Sequence, residues 1–142
     1  MQTDISRGLR NTYLAQFVFT LIFGLAGTFA AGFVGDLAGH PVHDGDVNMG
    51  LGITTLALAL GSSFAYRATR WDQISIFTAV CAFNGLVGGV LNVIIHFAPG
   101  LVNETSLPPV QLLVAVIVLA LGIAFTYFYF ATNKALSPLE AR

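Results

Sequence analysis

The chain has 142 residues, of which 56% are hydrophobic and only 9% charged, with a formal net charge of -1. Soluble domains carry about 25% charged residues, so this composition cannot furnish a water-facing surface. Six Lys and Arg residues spread over short segments form no nucleic-acid patch, and one cysteine, Cys81, excludes an internal disulfide and Cys-x-x-Cys chemistry.

Residues 1–10 are a short polar stretch carrying Arg7 and Arg10. Residues 11–35 then contain no Asp, Glu, Lys, Arg or His. Roughly 20 apolar residues cross a bilayer as a helix, so a first span is expected over 12–34. Two arginines, an apolar run and the small Ala30 and Ala31 also have the outline of a signal peptide. The segment is read here as a retained first helix. In the loop 36–48, Gly39, Pro41 and Gly45 are expected to interrupt helix. A second span follows over 49–66, then a tight turn at 68–72 with Arg70 and Trp71. The third span covers 73–97 and stops before Pro99-Gly100. Pro108-Pro109 can open the fourth, over 109–132, because proline is tolerated in a first turn. The expected fold is an all-α integral membrane protein, a four-helix transmembrane bundle forming one domain over residues 1–142.

Four crossings sort the charges. Arg7, Arg10, Arg67, Arg70, Lys134 and Arg142 fall on one side, and Asp36, His40, His43, Asp44, Asp46, His96 and Glu104 on the other. Six basic residues assigned at random would all agree about once in 32 trials, so the positive-inside rule sets both termini in the cytoplasm. Tyr66, Trp71, Tyr127 and Tyr129 suit an aromatic belt on that side. The layout is like that of small bacterial four-span proteins, which points to the bacterial inner (plasma) membrane.

In lipid, helices associate through small residues and polar contacts. The third span carries Asn84, Gly88, Asn92 and His96 four apart, with the pair Gly85 and Gly89 alongside. The first carries Thr12, Gln16, Thr20, Gly24, Thr28 and Gly32, also four apart, and the second offers Thr55 and Ser62. These stripes are expected to face the interior, either holding helices together or lining a pathway through Gln16, Asn84, Gly88 and Asn92. The fourth span reads as the most lipid-facing, Leu119 included, or as a contact with another subunit.

The outer loop supplies the one candidate for chemistry. His40, His43, Asp44 and Asp46, with His96 at the same level, combine imidazole and carboxylate, which suits a divalent transition metal such as zinc, copper or iron. A solvated acidic loop has the same composition. Asp44-Gly45-Asp46-Val47-Asn48 begins like a calcium loop but has Met49 at the sixth position and Thr55 at the twelfth. Asn103-Glu104-Thr105 is a glycosylation sequon on the outer side, meaningful only in a eukaryotic secretory pathway.

Familiar four-helix chemistries find few residues here. Small multidrug transporters use a glutamate in their first helix, where this chain has Gln16 and Thr20. No span has an acid or base at its centre, which argues against a coupled transporter. Haem bundles need axial histidines, and His96 alone is near a span. Three functions stay open: a non-catalytic accessory subunit or self-assembling membrane component, a small channel or transporter, and a metal- or haem-binding protein. The expected partners are the lipid bilayer and either further copies in a homo-oligomer or a larger membrane complex, with no nucleic acid.

Overall fold

The structure is a computed structural model that describes residues 4–37, 45–98 and 109–140. Five helices account for most of them: α1 (Arg7–Phe29), α2 (Ala31–Leu37), α3 (Gly45–Arg67), α4 (Ser75–Phe97) and α5 (Pro109–Glu140). Four are long and apolar enough to cross a membrane. Many large apolar side chains point outward, with Phe29 81%, Ile76 80% and Phe97 71% exposed. Water would not tolerate such a surface, and hydrocarbon does. The chain is a small, all-α integral membrane protein.

The elements differ from the sequence expectation mainly at four ends, the first being the start of α1 at Arg7. Ser6 caps α1, accepting from the Leu9 amide at 3.2 Å. The first helix breaks at Ala30 instead of running to Val34, although Ala30 donates to Ala26 O and Val34 to Ala30 O. Nothing in the local sequence explains the break. Gly45, expected to interrupt helix, is the first residue of α3. Helix α5 continues past Thr132 to Glu140, with Leu136 packed against the core.

The spans pack as two tight pairs, α1 with α3 and α4 with α5, and α1 also touches α5. Glycines set the closeness within each pair. A Cβ at Gly52 would lie 2.5 Å from the Thr28 nitrogen, and one at Gly24 would lie 2.7 Å from Leu56 Cγ. Between the pairs, long side chains bridge a wider gap. Tyr13 is fully buried, stacks on Phe77 with ring centres 5.9 Å apart and meets Phe125 at 5.0 Å. Tyr13 and Thr78 hydroxyls lie 2.6 Å apart, while Thr78 also donates to Ile74 O. Leu9, Tyr13, Trp71, Ile74 and Phe125 belong to the buried cluster, which also includes Ile5, Ala65, Cys81 and Ala82.

That cluster sits beside the end where basic residues gather. Asp4 and Arg70 form an antiparallel bridge, Arg10 Nη2 donates to Ala68 O at 3.3 Å, and Trp71 Nε1 donates to Asn133 Oδ1 at 3.0 Å. These contacts draw the N-terminal segment, the α3–α4 turn and the end of α5 together. Arg7, Arg10, Arg67, Arg70 and Lys134 therefore share one end of the bundle, while Arg142 lies outside the described residues. Arg10 reaches the Ala68 carbonyl just beyond the end of α3, where a helix leaves unpaired acceptors and partial negative charge.

Candidate functional site: the small and polar interhelical residues

The polar residues of the spans bond mainly to their own helices. Thr20 donates to Gln16 O at 2.7 Å, Thr28 to Gly24 O at 2.7 Å, Ser62 to Leu58 O at 2.8 Å and Thr126 to Gly122 O at 2.8 Å. Asn92 Nδ2 likewise donates to Gly88 O at 2.7 Å. Returning a side-chain donor to the carbonyl one turn back pairs that donor within its own helix. A stripe satisfied this way does not present a row of ligands.

Gln16 and Thr20 are buried, and Gln16 Nε2 donates to Cys81 Sγ at 3.3 Å between α1 and α4. Gln16, Thr20, Cys81 and Asn84 line part of a central cavity of about 40 Å³. One water needs roughly 10–15 Å³ measured in that way, so the cavity has room for a few waters. It is far smaller than a conduit across a bilayer about 30 Å thick.

The expected stripe on α4 divides. Gly85 and Gly89 are buried and face α5, where a Cβ at Gly85 would lie 2.5 Å from Gly122 Cα and one at Gly89 would lie 2.7 Å from Leu119 Cβ. Gly88 has nothing within 4 Å of a Cβ, Asn84 is exposed, and Asn92 and His96 are partly buried. An α-helix turns about 100° per residue, so positions four apart drift about 40° each turn and leave any one face. Gly32, on α2 beyond the break, also has nothing within 4 Å of a Cβ. Leu119, read from sequence as lipid-facing, instead packs on Gly89, because the small residues of α4 lie against α5.

Helix faces are traced better by spacings that alternate three and four. Leu9, Tyr13, Gln16, Thr20, Gly24 and Gly27 are the buried residues of α1, and Thr78, Cys81, Ala82, Gly85 and Gly89 those of α4. Tyr13, Thr78 and Phe125 were missed as interior residues. The mixed spacing was the signal that could have found the first two.

His40, His43 and Asp44 lie outside the described residues, and Asp46 is described only by its backbone, in the first turn of α3. His96 sits in the last turn of α4, edge-on to Phe97 at 4.8 Å. Among the described residues, no three His, Cys, Asp or Glu side chains gather into a metal-binding group. At the basic end, Arg70 and Asp72 form an exposed ion pair, with Arg70 Nε donating to Asp72 Oδ1 at 2.9 Å. The hydrogen bond from Arg70 is the chief reason the Asp72 carboxyl is held below its ordinary range. Comparison with protein-family models, with curated proteins and with solved structures returns no match.

Proposed function

We propose that this chain is a non-catalytic, self-assembling component of the bacterial inner membrane, oriented with its basic end in the cytoplasm. The observation that carries the reading is Asn84. Asn84 is an exposed residue at the edge of the central cavity, makes no hydrogen bond among the described residues, and lies near the middle of α4. Moving an amide from water to alkane without a partner costs about 4–8 kcal/mol. One turn along, Gly88 offers open space beside it. A second copy packed on this face gives Asn84 a carboxamide partner and lets a backbone approach Gly88. Measured bonds of this kind in membranes average only about 0.6 kcal/mol, so close packing at Gly88 supplies much of the association. An accessory place in a larger complex would use the same surface.

The self-satisfied hydroxyls and the small central cavity support a packing role over conduction. Single-molecule photobleaching of labelled protein diluted into liposomes tests the proposal. More than one subunit per spot, at protein-to-lipid ratios where random co-occupancy is negligible, is expected. Single steps throughout would refute it.

A further inference from the structure

We infer that the crevice between α3 and α4, at the basic end of the bundle, is a binding site for one anionic phospholipid. The two helices are joined by the short turn around Trp71–Gln73, yet their backbones make few close approaches. They touch where Phe77 lies against Gly61, a Cβ at Gly61 being 2.6 Å from the Phe77 ring. Between that contact and the turn lies an open crevice of about 590 Å³. Arg67 follows Gly61 by six positions, so the crevice runs about 9 Å along α3.

Its two ends differ in chemistry. The deep end is apolar, with Phe64, Phe77 and Ile74. The mouth carries Arg67, Thr69 and Gln73, and no Asp or Glu among the described residues lines it. Arg67 is exposed and has no carboxylate partner among the described residues, and Asp72 of the adjoining turn is engaged by Arg70. Gln73 Oε1 accepts from the Thr69 and Arg70 amides at 3.4 and 3.3 Å, which leaves its amide nitrogen as a donor. A guanidinium and neutral donors at the mouth, above aromatic walls, complement a phosphate ester joined to an acyl chain. The level is right as well, since exposed Tyr66 beside it suits the interfacial belt, whereas Trp71 is buried in the core cluster. Anionic lipid is drawn to basic segments at the cytoplasmic surface, but that diffuse attraction acts on every Lys and Arg there. The crevice singles out Arg67. The inference does not depend on self-assembly, because lipid is counted per protomer.

The test is native mass spectrometry of the purified full chain titrated with phosphatidylglycerol or phosphatidylcholine of the same acyl chains. One phosphatidylglycerol per protomer is expected to bind at least about tenfold more tightly than phosphatidylcholine. Arg67→Gln should remove about tenfold of that preference without changing the melting temperature, since its side chain is exposed. Lys134→Gln, at the same end of the bundle, should leave the first phosphatidylglycerol in place. Equal binding of the two lipids would overturn the site. So would equal losses in the two variants, which would mean diffuse attraction alone, and so would full displacement by millimolar inorganic phosphate, which would mean that the acyl chain contributes nothing.

Discussion

Gly85 on α4 and Gly122 on α5 pack backbone against backbone. A Cβ at Gly85 would lie 2.5 Å from Gly122 Cα, and one at Gly122 would lie 2.5 Å from the Gly85 carbonyl carbon. No flexible side chain stands between them to yield, so any substitution here must separate two helices.

Gly85→Ala should therefore destabilise the bundle by about 1–3 kcal/mol through overpacking. Gly88→Ala, three residues on and facing open space, should be neutral or gain up to about 1 kcal/mol from helix propensity. Thermal unfolding of the two variants in one detergent checks the pair. Equal destabilisation would contradict the assignment of the α4–α5 face.

Tyr13 joins the helix pairs through its ring and its hydroxyl, and the two contributions can be separated. Tyr13→Phe keeps the contacts with Phe77 and Phe125 and loses only the bond to Thr78, whose hydroxyl still donates to Ile74 O. The expected loss is about 0.5–1.5 kcal/mol. Tyr13→Ala removes the whole buried ring and should cost about 3–5 kcal/mol. Unfolding free energies of both variants would show whether the ring or the hydroxyl dominates.

Trp71 is the only tryptophan, so its fluorescence reports on the basic end without labelling. Its ring meets Tyr129 at 5.9 Å and its N–H is held by Asn133. Asn133→Leu leaves that N–H without its acceptor and should cost about 1–3 kcal/mol, with a shifted emission maximum. An unchanged spectrum would mean that α5 does not dock on the α3–α4 turn.

The Arg70–Asp72 pair should matter little. Because the Asp72 carboxyl is held below its ordinary range, its stabilisation is present above the unfolded carboxylate pKa and is lost as pH falls through the lower folded value. Both side chains are exposed, however, 46% and 62%, and exposed pairs are screened. Melting temperatures of the parent and Asp72→Asn should agree at neutral pH in moderate salt. A clear drop in the variant would show that the turn depends on this pair.

How much of this was legible in the sequence differs by level. The spans were legible because uncharged runs of 20 or more residues have few other uses. The gathering of Arg7, Arg10, Arg67, Arg70 and Lys134 at one end followed from counting crossings. Helix facing was much less legible. In water, hydrophobicity marks the inner face, whereas in lipid both faces are apolar and only small or polar residues differ. Fixed four-residue stripes then misled, because they drift around the helix. They caught Gln16, Thr20 and Gly24 but put Asn84 and Gly32 on the same footing. The pairing of helices was not legible either. The turn joining α3 to α4 implies proximity, yet glycine contacts tie α4 to α5 instead. The outer histidines stay a sequence proposal, since His40 and His43 fall outside the described residues.

Orientation can be tested with described positions. Asp36→Cys, on exposed α2, should react with an impermeant thiol reagent in intact cells. Thr69→Cys, at the basic end, should react only after permeabilisation, and native Cys81 is buried and should stay silent. The reverse pattern would invert the topology.

The most direct test of self-assembly is the mass of the complex extracted gently from native membrane, compared with Asn84→Leu and Gly88→Leu. Gly88 faces open space and Asn84 is exposed at the edge of the central cavity, so the variants should fold and melt like the parent. The parent is expected to appear as a multiple of the 15.1 kDa chain, and both variants as the single chain. A monomeric parent, or an oligomer that survives both substitutions, would contradict the account.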